Sequence, residues 1–423
     1  MKISVIGGGY VGLISALGLA EIGHDVTIIE IDKIKVDLIN NAKPPIFEKG
    51  LQELLDKHIG NNLSASLSYE SVADSDVSLI CVGTPPLPDG SANIAYILSA
   101  AEKIGSACKD RSDFHVIAVK STVPPGTTKE NVMPAVLKYS GKQSEEIGFV
   151  MNPEFLREGR ALEDFMNPDR IVIGSEENRS AEIIEKMYAG LNAPILKTTL
   201  TAAEMIKYAS NALLATKISF ANEVGNICKK LSVDVYDVMK GVGMDHRLSP
   251  YFLNAGCGFG GSCFPKDVSA LASLATKMGE KPYLLNTVLQ VNECQPLKMV
   301  ELLETRTGSL SQKKIAVLGL AFKDFTDDIR ESRAIPIIQS LLVKGAIISA
   351  YDPLANEHMK ALIPEISYCT DAKSALLNAD GCLVVTEWPE FSDLNEEFHV
   401  MKDQIIIDGR RILRTEQAEG ICW

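Results

Sequence analysis

The residues best placed to do chemistry sit in a few short stretches, above all GFGGSCFPKD at residues 258–267. A thiolate is a strong nucleophile, and a lysine or a helix start beside Cys263 would favour that charged form. Asp267, four residues on, could take a proton or position a water. Three glycines in four positions let backbone or ligand come close. On residue types alone, Cys263 is a nucleophile, a metal ligand or a structural thiol in a Gly-rich turn.

Four other places carry comparable groups. NPEFLREG (152–159) sets Glu154 and Glu158 four apart: on a helix they would share a face, in a loop they would line one edge. Paired carboxylates suit proton transfer, but most exposed Glu pairs are only solvated surface. Lys207 and Asn211, also four apart, read either as a donor pair for a developing oxyanion or as surface residues of a helix. VGTPP (82–86) and KSTVPPGTT (120–128) follow strand-like runs. They place Thr84 and Thr122 at carboxyl ends of parallel strands, where α/β ligands bind, unless the prolines merely end the strands.

Groups so far apart in the chain need a fold to position them. ISVIG, DVTIIE, VSLICVGTP, FHVIAVKST and RIVIG are continuous apolar runs separated by helical text, which predicts a parallel sheet covered on both faces. KKIAVLGLAF, GAIISAYDP, DGCLVVTEW and QIIIDGR predict a second such sheet. Between them, residues 201–231 read as one helix about 40 Å or more long, followed by further helical text to about residue 305. The expected fold is α/β: two Rossmann-like doubly wound domains, 1–198 and 307–423, joined by a long central helix and helical connector, 199–306, that could pair with a second copy.

GGGYVG (7–12) opens the first helix with G-x-G-x-x-G spacing. Gly7, Gly9 and Gly12 allow a tight turn and close approach of a pyrophosphate, with Tyr10 and Val11 starting the helix that receives the negative charge. Glu30 closes the second strand, where a ribose diol is read and a 2′-phosphate repelled, so NAD is expected over NADP. Gly8, at the variable position, is expected to change nothing.

Composition excludes several classes. A net charge of −13 argues against a nucleic-acid binder, while 46% apolar and 23% charged residues suit sizeable cores over 423 residues. Nine cysteines without a CxxC form neither a disulfide framework nor a zinc pattern, and no metal is expected. The uncharged run at 3–20 reads as a buried strand–turn–helix, not a leader or membrane span, which points to the cytoplasm.

Taken in order, these stretches resemble the UDP-glucose/GDP-mannose dehydrogenase family over essentially the whole length. NPDRIVIG (167–174), AEMIKYASN (203–211), GLAFKDFTDDIRES (319–332) and DGRR (408–411) add to the resemblance. It implies oxidation of a sugar's primary alcohol to a carboxylate with two NAD molecules in turn. Cys263 would trap the intermediate aldehyde as a thiohemiacetal and thioester, Lys207 and Asn211 would hold the oxyanion, and Asp267 would take the first proton. Glu154, Glu158 and Thr122 would serve hydrolysis. Lys35, Thr84, Thr122, Glu158, Lys266 and Arg330 are implied at NAD. Glu154, Phe155, Leu156, Lys207, Asn211, Arg247, Phe252, Leu253, Asn254, Gly256, Gly260, Phe322, Lys323 and Arg410 are implied at the nucleotide sugar, Arg247 from a partner subunit of at least a homodimer.

Within the resemblance, FPKD after the glycines speaks against N-acetylated UDP sugars. NPDRIVIG and GMDHRLSPYFLNAG (243–256) favour UDP-glucose, whereas AEGICW (418–423) resembles the GDP-mannose members. Stretches beside the sugar are weighed above AEGICW. Two rival classes stay open: a single-hydride dehydrogenase that would not need Cys263, and an NAD-dependent binding protein with a degenerate site.

Overall fold

The computed structural model describes residues 1–423, which form two compact units, Met1–Ser210 and Asn211–Trp423. The division falls inside one helix, Leu200–Leu231, whose 32 residues contain no proline and a single glycine.

The first unit is built on eight strands: β1 (Lys2–Ile6), β2 (Asp25–Ile29), β3 (Leu63–Ser66), β4 (Val77–Ile80), β5 (His115–Val119), β6 (Ile147–Met151), β7 (Ile171–Ser175) and β8 (Ile195–Thr198). Their order, β3-β2-β1-β4-β5-β6-β7-β8, reverses direction at β1/β4. Ligands of such sheets bind beyond the carboxyl ends at that switch point. GGGYVG, VGTPP, KSTVPPGTT and NPEFLREG follow β1, β4, β5 and β6, four mutually parallel strands, so all four loops leave the same end of the sheet. The strands lack polar alternation because both faces are covered. Val5, Val116 and Ala118 pack into one core, and Ile6, Ile117 and Val119 into the other.

One pairing departs from the expected parallel sheet. β7 meets β6 antiparallel, through Val150↔Ser175 and Met151↔Gly174. The intervening helix, Ala161–Met166, is only six residues long and packs on the Tyr10–Glu21 helix instead of returning the chain along the sheet. Phe165 lies where a side chain at Gly18 would be, 2.1 Å from a Cβ built there.

The second unit carries a six-stranded parallel sheet: β9 (Lys314–Leu318), β10 (Ile347–Tyr351), β11 (Ser367–Tyr368), β12 (Gly381–Val384), β13 (Ile406–Asp408) and β14 (Ala418–Gly420), in the order β11-β10-β9-β12-β13-β14. Four helices between Val235 and Thr307 precede it. No helix of either unit is long and apolar enough to cross a membrane.

The edge strand β14 is held by charge. Glu419 pairs with Arg306 at 2.7 Å and with Lys229 at 2.9 Å. Hydrogen bonds from Arg306, and against the opposing effect of partial burial those from Lys229, hold its carboxyl at about 2. A carboxyl lowered by folding stabilises fully above its ordinary value of 4.5, and that contribution is lost as pH falls towards 2. Glu419→Gln should therefore melt below the unaltered protein at neutral pH, with the gap narrowing between pH 4.5 and 2 in calorimetry across that range.

Candidate active site

The glycine turn is built for a close ligand. Gly7 has φ +104°, and a Cβ there would lie 2.9 Å from the Cys81 carbonyl oxygen. At Gly12 a Cβ would lie 1.8 Å from the Gly7 oxygen, so both glycines serve the turn itself. Gly9 differs: a Cβ there meets nothing within 4 Å, and no side chain caps the helix that starts after it. The open cradle at an uncapped helix start, with Tyr10 and Val11 in its first turn, fits the pyrophosphate of a dinucleotide.

Glu30 is buried at the end of β2, accepting N–H bonds from Gly8 (2.8 Å), Ile31 (2.7 Å) and Asp32 (3.1 Å). Gly8 is thus not idle, contrary to the sequence expectation: a Cβ there would sit 3.1 Å from the Glu30 carboxylate. The fixed negative charge suits NAD and disfavours a 2′-phosphate. Lys35 lies half-buried on the Lys33–Asn40 helix. Tyr10 donates to Glu48 and accepts the Gly159 N–H at 2.9 Å, tying the NPEFLREG loop to the glycine helix. Burial holds the Tyr10 hydroxyl well above the ordinary phenol range. Thr84 donates to the Thr122 carbonyl at 2.8 Å, joining the two proline loops.

NPEFLREG is a loop, so Glu154 and Glu158 line an edge and do not share a helix face. Glu154 accepts the Leu156 N–H at 2.6 Å and pairs with Lys207 at 3.0 Å. Burial pushes its carboxyl up most strongly, but the charge and hydrogen bond of Lys207, the Leu156 N–H and the Lys120 charge together outweigh this and hold it below the usual range. Lys207 also lies 5.4 Å from the centre of the Phe155 ring, while Glu158 is half-buried.

Two further buried groups, one in KSTVPPGTT and one in AEMIKYASN, were not expected at the site. Lys120 is buried, 3.3 Å from the Asn152 amide oxygen and 3.1 Å from the Tyr188 hydroxyl. Glu204, fully buried one helical turn before Lys207, accepts from the Gly126 N–H (2.5 Å), the Thr128 N–H (2.7 Å) and the Thr128 hydroxyl (2.6 Å). It fastens the Thr122 loop to the long helix. Neither had a periodic or spacing signal.

In the second unit Cys263 is exposed at the N-cap of the Phe264–Lys277 helix, with Pro265 in the first turn. Asp267 is buried in that turn; its N–H donates to the Cys263 carbonyl at 2.8 Å. Its carboxylate accepts from the Asn211 amide at 2.6 Å and pairs with Lys266 at 2.5 Å. Lys207 and Asn211, read as one donor pair, are thus each engaged by a carboxylate: Lys207 by Glu154, Asn211 by Asp267. Lys266, implied at NAD, here faces Asp267.

The glycines before Cys263 make room for the chain itself, Gly260 for backbone and Gly261 for an aromatic side chain. A Cβ at Gly260 would lie 2.2 Å from the Glu331 oxygen, and at Gly261, φ +83°, 2.7 Å from the Phe322 ring. Lys323 sits 5.8 Å from the centre of that ring. Phe252, in left-handed backbone at φ +63°, meets the Phe264 ring edge-on at 6.4 Å, and Leu253 is buried beside it in sequence. Asn254, Gly256 and Arg410 line one cleft of about 320 Å³, together with Tyr236, Glu387 and Arg411, which the sequence reading did not select. Arg410 donates to the carbonyls of Val385 (2.8 Å) and Gly258 (2.9 Å) and pairs with Glu387 at 3.1 Å. Arg247 is exposed and paired with Asp245; Arg330 is also exposed and paired with Asp328, while its carbonyl accepts the Gly261 N–H at 3.0 Å, beside the Cys263 loop.

Lys207→Met leaves Glu154 buried beside no cation of the long helix and should destabilise the protein by about 3–5 kcal/mol in urea unfolding. The double variant Lys207→Met/Glu154→Gln, which leaves no unpaired buried charge, should regain most of that stability in the same unfolding measurement.

Residues 1–192 match the NAD binding domain, 201–294 the central domain and 316–415 the UDP binding domain of the UDP-glucose/GDP-mannose dehydrogenase family. The UDP-glucose 6-dehydrogenase AglM of Haloferax volcanii is 45% identical over 429 residues, covering 100% of this chain and 99% of that protein. The UDP-glucose 6-dehydrogenase TuaD of Bacillus subtilis is 42% identical, covering 99% and 91%. A UDP-glucose dehydrogenase structure from Pyrobaculum islandicum superposes with a TM-score of 0.95 at 42% identity, covering 100% and 98%. The chain belongs to the UDP-glucose/GDP-mannose dehydrogenase family, the NAD-dependent dehydrogenases of nucleotide sugars.

Proposed function

We propose that this chain oxidises C6 of UDP-glucose to a carboxylate, consuming two NAD and one water and releasing UDP-glucuronate and two NADH. The observation that carries the reading is Cys263 at the start of a helix whose first turn holds the buried Asp267, itself held by Asn211 and Lys266. A dehydrogenase delivering one hydride has no use for a thiol there. The choice of UDP-glucose leans on the relatives above and on NPDRIVIG and GMDHRLSPYFLNAG, while FPKD speaks only against N-acetylated sugars.

Bound NAD supplies the hydride acceptor for each two-electron step. Asp267 takes the proton of the C6 hydroxyl as its hydride departs, leaving an aldehyde. The Cys263 thiolate adds to that carbon, and Lys207 and Asn211 donate to the oxyanion formed. Departure of a second hydride collapses the thiohemiacetal to a thioester. Water, positioned by Glu154, Glu158 and Thr122, cleaves the C–S bond and returns the thiolate.

Residues 1–198 would then hold NAD, 307–423 the nucleotide, and 199–306 connect them. The long helix exposes Leu213, Phe220 and Ile227 at steps of seven, a stripe suited to a matching helix of a second copy, so a homodimer or larger assembly is our reading. A working thiol suits the reducing cytoplasm.

Turnover of UDP-glucose should yield two NADH per sugar and outpace GDP-mannose and UDP-N-acetylmannosamine measured side by side; faster GDP-mannose oxidation would overturn the substrate choice. Cys263→Ala should abolish acid formation and release aldehyde, and full activity with one NADH per sugar would sink the thioester route. Gly9→Ala, with open space for its methyl group, should fold normally yet weaken NAD binding about tenfold or more. Gly12→Ala should lose both fold and binding, read by melting temperature and fluorescence titration.

A further inference from the structure

Residues 418–423, AEGICW, take no part in the chemistry above, yet they are anchored from several sides. Lys229 donates to the carbonyls of Gly420 (2.8 Å) and Trp423 (2.9 Å). Gln295 donates to the buried Cys422 sulfur at 3.4 Å. Two glycines are needed for the fit: a Cβ at Gly225 would lie 2.8 Å from that of Cys422, and one at Gly420 would lie 2.0 Å from the Trp423 ring.

So fixed, Trp423 reaches residues of the nucleotide cleft. Its ring meets Tyr236 edge-on, centres 5.4 Å apart at 88°. The Arg411 guanidinium lies 4.2 Å from the Tyr236 ring centre and 5.8 Å from that of Trp423, and grips Asp234 through two bonds of 2.6 and 2.7 Å. Tyr236 donates to the Ala255 carbonyl at 2.7 Å. Arg411 holds φ +54°, which a non-glycine residue keeps only where its surroundings over-determine it. That turn sends two neighbouring guanidiniums to different partners, Arg410 to the Gly258 and Val385 carbonyls and Arg411 to Asp234. Tyr236 and Arg411 line the cleft with Asn254 and Arg410. Guanidiniums, an amide and an aromatic ring are the donor and stacking set that a nucleoside diphosphate takes.

We propose that the Tyr236–Arg411–Trp423 stack is the outer wall of this cleft, so that residues 418–423 set the affinity for the nucleoside diphosphate part of the substrate without entering the oxidation. The proposal rests on the reading of the cleft as the nucleotide site. Trp423 acts through Tyr236 and Arg411 and is a positioning residue.

Calorimetric titration of the full chain with UDP, alongside steady-state kinetics, tests it. Trp423→Ala should weaken UDP about tenfold and raise KM for UDP-glucose by the same factor, with kcat and KM for NAD held within about twofold. Trp423→Phe, which keeps an aromatic edge, should recover most of the loss. UDP affinity unchanged in Trp423→Ala overturns the proposal. Absence of UDP binding to the unaltered protein removes the nucleotide reading itself, and the proposal with it. If Trp423→Ala melts too early to assay, Arg411→Lys decides: it keeps the charge and loses the flat stack, so weakened UDP binding supports the wall and unchanged binding overturns it.

Discussion

Lys207 and Glu154 are each more than nine-tenths buried and 3.0 Å apart. Desolvation would drive either charge to its neutral form if the other were absent. Their coexistence requires the NPEFLREG loop and the long helix to meet in one register. Much of the first unit supplies that register. Glu204 fastens the Thr122 loop to the same helix through three hydrogen bonds, and Glu48 joins the end of NPEFLREG to the glycine helix by accepting the Gly159 and Ala161 N–H groups and the Tyr10 hydroxyl.

The second unit solves the same problem with other partners. Asp267 is buried, and the Asn211 amide and Lys266 ammonium satisfy one oxygen each. Cys263 stays exposed because it stands at the N-cap, outside the helix body that Val268 and Ala272 bury. One group is thereby fully partnered in a dry place and the other kept reachable, four residues apart. Close backbone approach makes this possible: Gly260 and Gly261 leave space that the 322–331 segment occupies.

Much of this was legible in the chain. The apolar runs predicted both sheets, proline-free text predicted the long helix, and G-x-G-x-x-G spacing with Glu30 predicted the dinucleotide turn. The antiparallel β6–β7 pairing was not legible, because it follows from where a six-residue helix packs and not from any strand pattern. Gly8 looked dispensable since its role is to bring an N–H to Glu30, a contact across 22 residues. AEGICW looked peripheral because its contacts are with Lys229, Tyr236 and Arg411, all remote in sequence or on another element.

The sequence by itself determined the local terms: which runs become strand or helix, where the chain can turn tightly, and which thiol, carboxylates and cations are available for chemistry. These depend on periodicity, backbone sterics and residue type, all of which act over a few positions. Only the tertiary structure decided who partners whom. It gave Lys207 to Glu154 and Asn211 to Asp267, set Glu204 as a fastener, and packed Trp423 behind Arg411. Those choices depend on the distance and burial of groups well separated along the chain, and one-dimensional spacing carries neither.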